Sequence, residues 1–176
     1  MKDNRLAKID PDQASEAQQK VIAQLGEGRG RIPTPFNIWL HNPQLAAGME
    51  IIGTHVDHSP VLSEAESEVA ILSTAVFWNA PYVIANHRRH ALKSGVPEAV
   101  VTAILEKRRP EAGDDRFGLV CDAVNDILAG GAIDDARFAR YDAGLGRAVI
   151  AELLVTVGYF TSISLGMTLH AMQPKD

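Results

Sequence analysis

Glu66-Ser67-Glu68-Val69-Ala70-Ile71-Leu72, continuing through Trp78-Asn79-Ala80-Pro81-Tyr82-Val83-Ile84-Ala85-Asn86-His87 to His90-Ala91-Leu92, is the stretch around which the chain is organised. It reads as two amphipathic helices with a sharp break between them. Ser63 caps the first, and Glu66 three residues later completes a capping box. Asn79 or Ala80 caps the second, with Pro81 in its first turn, where a missing N–H costs nothing. Gly95 after Ser94 ends that helix, and Val96-Pro97-Glu98 opens the next.

Outward from this hairpin the pattern stays helical. Upstream, Asp10-Pro11-Asp12 opens a helix whose apolar face is Ala17, Val21, Ile22 and Leu25. Gly26-Glu27-Gly28-Arg29-Gly30-Arg31 ends it and reads as a flexible connector; it follows a helix and lacks the Gly-Lys-[Ser/Thr] ending of a phosphate loop. A loop from Pro33 to Pro43 carries Phe36, Asn37, Trp39 and His41, and Pro43 starts a helix through Leu45, Met49, Ile52 and Val56. Downstream, short helices are expected over Pro97–Lys107, Asp114–Leu128 and beyond Asp134, with Phe138 and Tyr141 in the last. A long helix from Arg147 to about Met172 is apolar nearly all round, which marks burial in a core or a subunit interface. No strand alternation, repeat or low-complexity tract interrupts this pattern, so the class is all-α.

At 176 residues the chain is expected to form one domain over residues 1–176, with its core spanning about 10–172. Hydrophobic content of 46% with 22% charged residues is ordinary for a globular protein. A formal charge of −5 argues against a nucleic-acid partner, which would need a basic patch. No apolar run is expected to reach the ~18 residues that would suggest a membrane span, and Met1-Lys2-Asp3-Asn4-Arg5 lacks the long apolar region of a signal peptide. A lone Cys121 cannot form an internal disulfide, and a cytoplasmic location is the default expectation.

Candidate chemistry concentrates in the hairpin. Ala80, Val83 and His87 share one face of the second helix. Tyr82 and His87 are five positions apart, roughly 140° around the helix, so a pocket using both must wrap its N-terminus. An antiparallel hairpin would bring Glu68 to His87, to orient the imidazole as a general acid or base. Burial of His87 and Glu68 as a satisfied structural pair is the alternative. His90 could extend such a site. Arg31 is a candidate carboxylate clamp, His41 a pocket-lining group, and Phe36, Trp39 and Trp78 apolar walls or plain core. His55-x-x-His58 and His87-x-x-His90 have i, i+3 spacing compatible with a shared metal, but neither has a third ligand at a telling spacing. The expectation is no metal and no cofactor.

These residues carry a resemblance. An acidic residue near a helix start, nineteen residues to a His, then Ala-x-x-x-Gly-Val resembles the carboxymuconolactone decarboxylase and AhpD-like superfamily. Ile32-Pro33-Thr34-Pro35-Phe36-Asn37-Ile38-Trp39-Leu40-His41-Asn42-Pro43 and Glu152-Leu153-Leu154-Val155-Thr156-Val157-Gly158-Tyr159-Phe160 are similar to its flanking segments. In the peroxidase branch cysteines would stand at Ala80 and Val83; their absence removes a thiol mechanism. Tyr82-x-x-x-x-His87 resembles the decarboxylase-type branch, although Val83-Ile84 replaces its frequent Glu-Trp. The resemblance implies an AhpD-like helical fold, a homo-oligomer (trimer or hexamer), and a small carboxylic acid or lactone as substrate. A non-catalytic oligomer that binds a small ligand is the rival from another class.

Overall fold

The computed structural model describes residues 5–110 and 115–174. Among them nine α-helices and a single 3-10 turn are present, with no strand. Asp10 caps that turn at Pro11–Gln13, and the first helix, α1 (Glu16–Arg29), starts later, at a Ser15/Gln18 capping box. It also ends later than glycine content suggests. Gly26 and Gly28 lie inside α1, and Gly30 closes it at φ 67°. Each interior glycine costs about 1 kcal/mol against alanine. Arg29 offsets this by pairing with Glu50 and Asp57 of the neighbouring helix, and so holds the last turn in place.

A short α2 (Phe36–Trp39) leads to α3 (Pro43–Asp57), capped by Asn42 with Pro43 in its first turn. Next come α4 (Glu64–Phe77), with the Ser63/Glu66 capping box, and α5 (Pro81–Lys93), opened by Ala80 and Pro81. The remaining helices are α6 (Glu98–Leu105), α7 (Arg116–Ala129), α8 (Asp135–Gly144) and α9 (Arg147–Leu169). Asp115 caps α7; the expected start at Asp114 lies outside the described residues.

Two apolar clusters form the core, and α4 and α9 belong to both. Val69, Ala70, Leu72 and Val76 of α4 join Val149, Leu153 and Val157 of α9 against α6, α7 and α8. Ile71 and Ala75 join Tyr159, Phe160, Ile163 and Met167 against α1, α2, α3 and Val83 of α5. A helix that faces neighbours on both sides must be apolar on more than one stripe, which is what α4 and α9 show. By length and composition alone α9 is the one described helix that could cross a bilayer, contrary to the expectation of no such segment. Its buried side chains, Val149 to Met167, instead pack within the chain and include Glu152, Thr156 and Ser164. Leu154, Val155, Leu165 and Leu169 remain exposed on its outer face.

Candidate functional site

The geometry of the hairpin begins at its break. Asn79 takes the left-handed conformation at φ 50°, which asparagine tolerates better than most side chains, and its Oδ1 accepts from Lys107 Nζ at 2.9 Å. Trp78 donates its indole N–H to Thr161 Oγ1 of α9 at 3.0 Å, so it pins the break to α9 rather than walling a pocket. Ala80 is fully buried, and Pro81 then directs α5 back along α4.

The returning helix sets His87 Nδ1 2.9 Å from Glu68 Oε2. The two side chains are 19% and 13% exposed, so the pair is neither sealed in the core nor free in water. One turn on, His90 is 63% exposed, with its Nδ1 3.8 Å from the other carboxylate oxygen, Oε1. Phe160 of α9 meets the His87 ring edge-to-face at 5.1 Å. An ionised carboxylate can only accept, so Nδ1 of His87 carries the shared proton. When that ring is neutral, Nε2 keeps the lone pair. That arrangement, an oriented imidazole with one basic nitrogen unspent, is competent for proton transfer.

The other expected site residues go elsewhere. Tyr82 is half-buried against the second core cluster, and its hydroxyl makes no hydrogen bond to Glu68 or His87. Phe36 and Trp39 are core, not pocket walls. They start an aromatic ladder from Phe36 to Trp39 (5.0 Å), Tyr159 (5.8 Å), Phe160 (5.5 Å) and His87. His41 Nε2 lies 3.1 Å from the carbonyl of Ala7 and so tethers the segment that precedes α1. Arg31 lines an open cleft of about 340 Å3 with Gly28, Arg29, Pro33, Thr54, Asp57 and His58, and none of Glu68, Tyr82 or His87 borders it.

Beside that cleft lies a polar cluster with no local signature in the sequence. Arg29 Nε donates to both oxygens of Glu50, at 2.8 and 3.1 Å, and its Nη1 pairs with Asp57. Thr54 Oγ1 donates to Glu50 at 3.0 Å, while Nη2 of Arg29 is buried with no hydrogen-bond partner among the described residues. Glu50, Thr54 and Asp57 share one face of α3 at i, i+4 and i+7, but Arg29 comes from α1, so no periodicity argument brings it to them. His55 lies 2.6 Å from the buried Glu152, though without hydrogen-bond alignment, while its sequence partner His58 lines the cleft. His55-x-x-His58 is thereby split. Glu68, His87 and His90 are not, and their ligand atoms all lie within 4.8 Å of one another.

No family model matches the chain, and no curated protein resembles it in sequence. Solved structures do. A protein of unknown function from Agrobacterium tumefaciens, suggested to be the antioxidant defence protein AhpD, superposes at TM-score 0.66 with 13% identity, covering 80% of this chain and 97% of that one. The debrominase Bmp8 superposes at TM-score 0.64 with 14% identity, covering 97% of this chain and 91% of that one. A cysteine-to-alanine variant of Bmp8 in complex with 2,3,4-tribromopyrrole gives the same TM-score at 15% identity. The fold is AhpD-like. On this AhpD-like frame Ala80 and Val83 are buried apolar residues at the mouth of α5. Cys121 sits in the core of α7, 1% exposed, and burial pushes its thiol up to about 12. A thiol held protonated and walled off cannot serve as a nucleophile.

Proposed function

We propose that the chain is an acid–base enzyme of the carboxymuconolactone decarboxylase type. It would act by decarboxylation or proton transfer on a small cyclic or unsaturated carboxylic acid or lactone. The observation that supports this is the Glu68–His87 contact at 2.9 Å, part-exposed and with Nε2 of His87 unspent. In a decarboxylation the bond from carbon to carboxylate breaks and CO2 leaves. The electron pair passes into the conjugated lactone, and His87, having first taken a proton from solvent at Nε2, delivers it to the carbanion and returns to the neutral ring. Glu68 is the positioning partner in this scheme. Tyr82 is the proposed donor to the developing oxyanion, a role for which it would have to turn toward the substrate. The proposed setting is a cytoplasmic homo-oligomer that binds neither nucleic acid nor membrane.

One observation favours a second reading, a non-catalytic ligand-binding oligomer of the same fold. The cation nominated to hold a substrate carboxylate, Arg31, borders a different cleft, and Arg88 and Arg89 are exposed, with Arg89 bonded to Asn86. The test is CO2 release from carboxymuconolactone and a panel of related unsaturated acids, with chelator present. His87→Ala is expected to lose roughly 100-fold or more, the usual contribution of a general acid or base. No turnover across the panel, with wild type and variant equally folded, would favour the ligand-binding oligomer.

A further inference from the structure

The sequence offers His87-x-x-His90 as a metal pair without a third ligand. The hairpin supplies one. Glu68, nineteen residues before His87, turns one carboxylate oxygen toward each imidazole, at 2.9 Å from His87 Nδ1 and 3.8 Å from His90 Nδ1. We propose that Glu68, His87 and His90 form a binding site for a divalent transition metal of the Zn2+ or Co2+ type. This inference stands apart from the acid–base reading, although it uses two of the same residues.

The fit follows from bond lengths. Ligand atoms about 2.1 Å from an ion can lie no more than about 4.2 Å apart. Both distances to Glu68 meet that limit, and the whole donor set spans 4.8 Å at most. Closing the remainder takes a shift of roughly half an ångström, and the group that must shift is the mobile one. His90 is 63% exposed, and its ion-pair partner among the described residues is Glu68. Glu68 in turn forms its ion pairs, among the described residues, with these two histidines and no lysine or arginine. No cation therefore has to be displaced for a metal to enter. Two imidazoles and one carboxylate on one side of an ion match the donor set of open three-ligand sites, which keep a further position for water or substrate. Phe160 beneath His87 limits water on the inner side, while the exposed edge of His90 leaves an entry path.

Occupancy has a chemical consequence for His87. A metal on Nδ1 needs the lone pair there, so the proton of the neutral ring moves to Nε2, and the nitrogen available as a base is lost. Metal binding and base use of His87 are alternative states of one cluster.

The test is titration of tag-free, chelator-stripped protein with Co2+ at pH 7.5, following visible d–d absorption, with Zn2+ competition. One Co2+ per chain is expected, displaced by one Zn2+. His90→Ala, at an exposed position that should leave folding intact, is expected to weaken binding tenfold or more, and His87→Ala and Glu68→Gln likewise. His55→Ala should leave it unchanged. Absence of absorption up to 100 µM Co2+, or equal binding by wild type and His90→Ala, would overturn the proposal. Either result leaves the acid–base reading standing, since that is judged by turnover in chelator. Conversely, lack of turnover leaves the metal titration unaffected.

Discussion

Glu68 has two oxygens and two imidazoles to serve, and its position five residues into α4 lets it reach both with no competing cation among the described residues. A neighbouring residue-scale constraint sits at Gly53 of α3. A Cβ there would collide with the Tyr159 hydroxyl and come within 2.9 Å of Arg29 Nη2. Gly53→Ala is expected to destabilise the protein by about 1–3 kcal/mol, the usual cost of overpacking, read as a lower urea midpoint at unchanged slope. An unaltered midpoint would mean that Tyr159 and Arg29 swing aside at no cost. At Cys121 the ordinary pKa of 9.0 rises to about 12, chiefly through burial. The unfolded thiol ionises first, so this group's contribution to stability is complete below about pH 9 and is lost as the pH climbs toward 12. Iodoacetamide at pH 8 should label Cys121 only after denaturation; rapid labelling of native protein would refute its burial.

At the scale of elements, the helix starts show how local chemistry sets boundaries. Ser63 N donates to Glu66 Oε2 at 2.8 Å while Ser63 Oγ accepts from Glu66 N at 3.3 Å, so two orphan donors of α4 are satisfied reciprocally. Glu66 also pairs with Arg116 at the start of α7, which ties two helix N-termini together. Ser63→Ala is expected to cost about 1 kcal/mol, measured as a lower midpoint of thermal or urea unfolding. No loss would show that the Glu66–Arg116 pair alone holds the end. The helix starts at Pro43, Ser63 and Pro81 and the stop at Gly95 were legible in the sequence, since each depends on residues a turn away. The limits of α1 were not. Its N-terminus depended on choosing Ser15 over Asp10, and its C-terminus on ion pairs to α3 that glycine content concealed.

Over the whole molecule, α4 and α9 are shared by both core clusters, which leaves α3 and the outer face of α9 with apolar side chains uncovered. Leu154, Leu165 and Leu169 fall on one stripe of α9 at 53%, 46% and 69% exposure, and Ile51 on the adjoining α3 is 74% exposed. Exposed apolar side chains gathered along a helix suit a subunit contact. Replacing Leu154 and Leu165 together by Asp is expected to shift the protein toward monomer in sedimentation velocity without unfolding it. A wild type that already sediments as a monomer would remove the case for a homo-oligomer.

Periodicity, caps and the acid-to-histidine spacing were enough to give an all-α chain, a hairpin break at Asn79–Pro81, and Glu68 within reach of His87. Each of these rests on interactions along one helix or across one short turn, and neighbours in sequence decide them. Which side chains meet between distant helices depends on crossing geometry, which no single segment specifies. Tertiary structure therefore decided that Phe36 and Trp39 are rungs of a buried aromatic ladder, that Arg31 faces another cleft, and that His41 tethers the segment that precedes α1. It also made His90 the third member of the Glu68–His87 cluster. The i, i+3 spacing set two imidazoles on one face and the hairpin gave Glu68 to His87, but only the packing of α5 against α4 turned the second carboxylate oxygen toward His90.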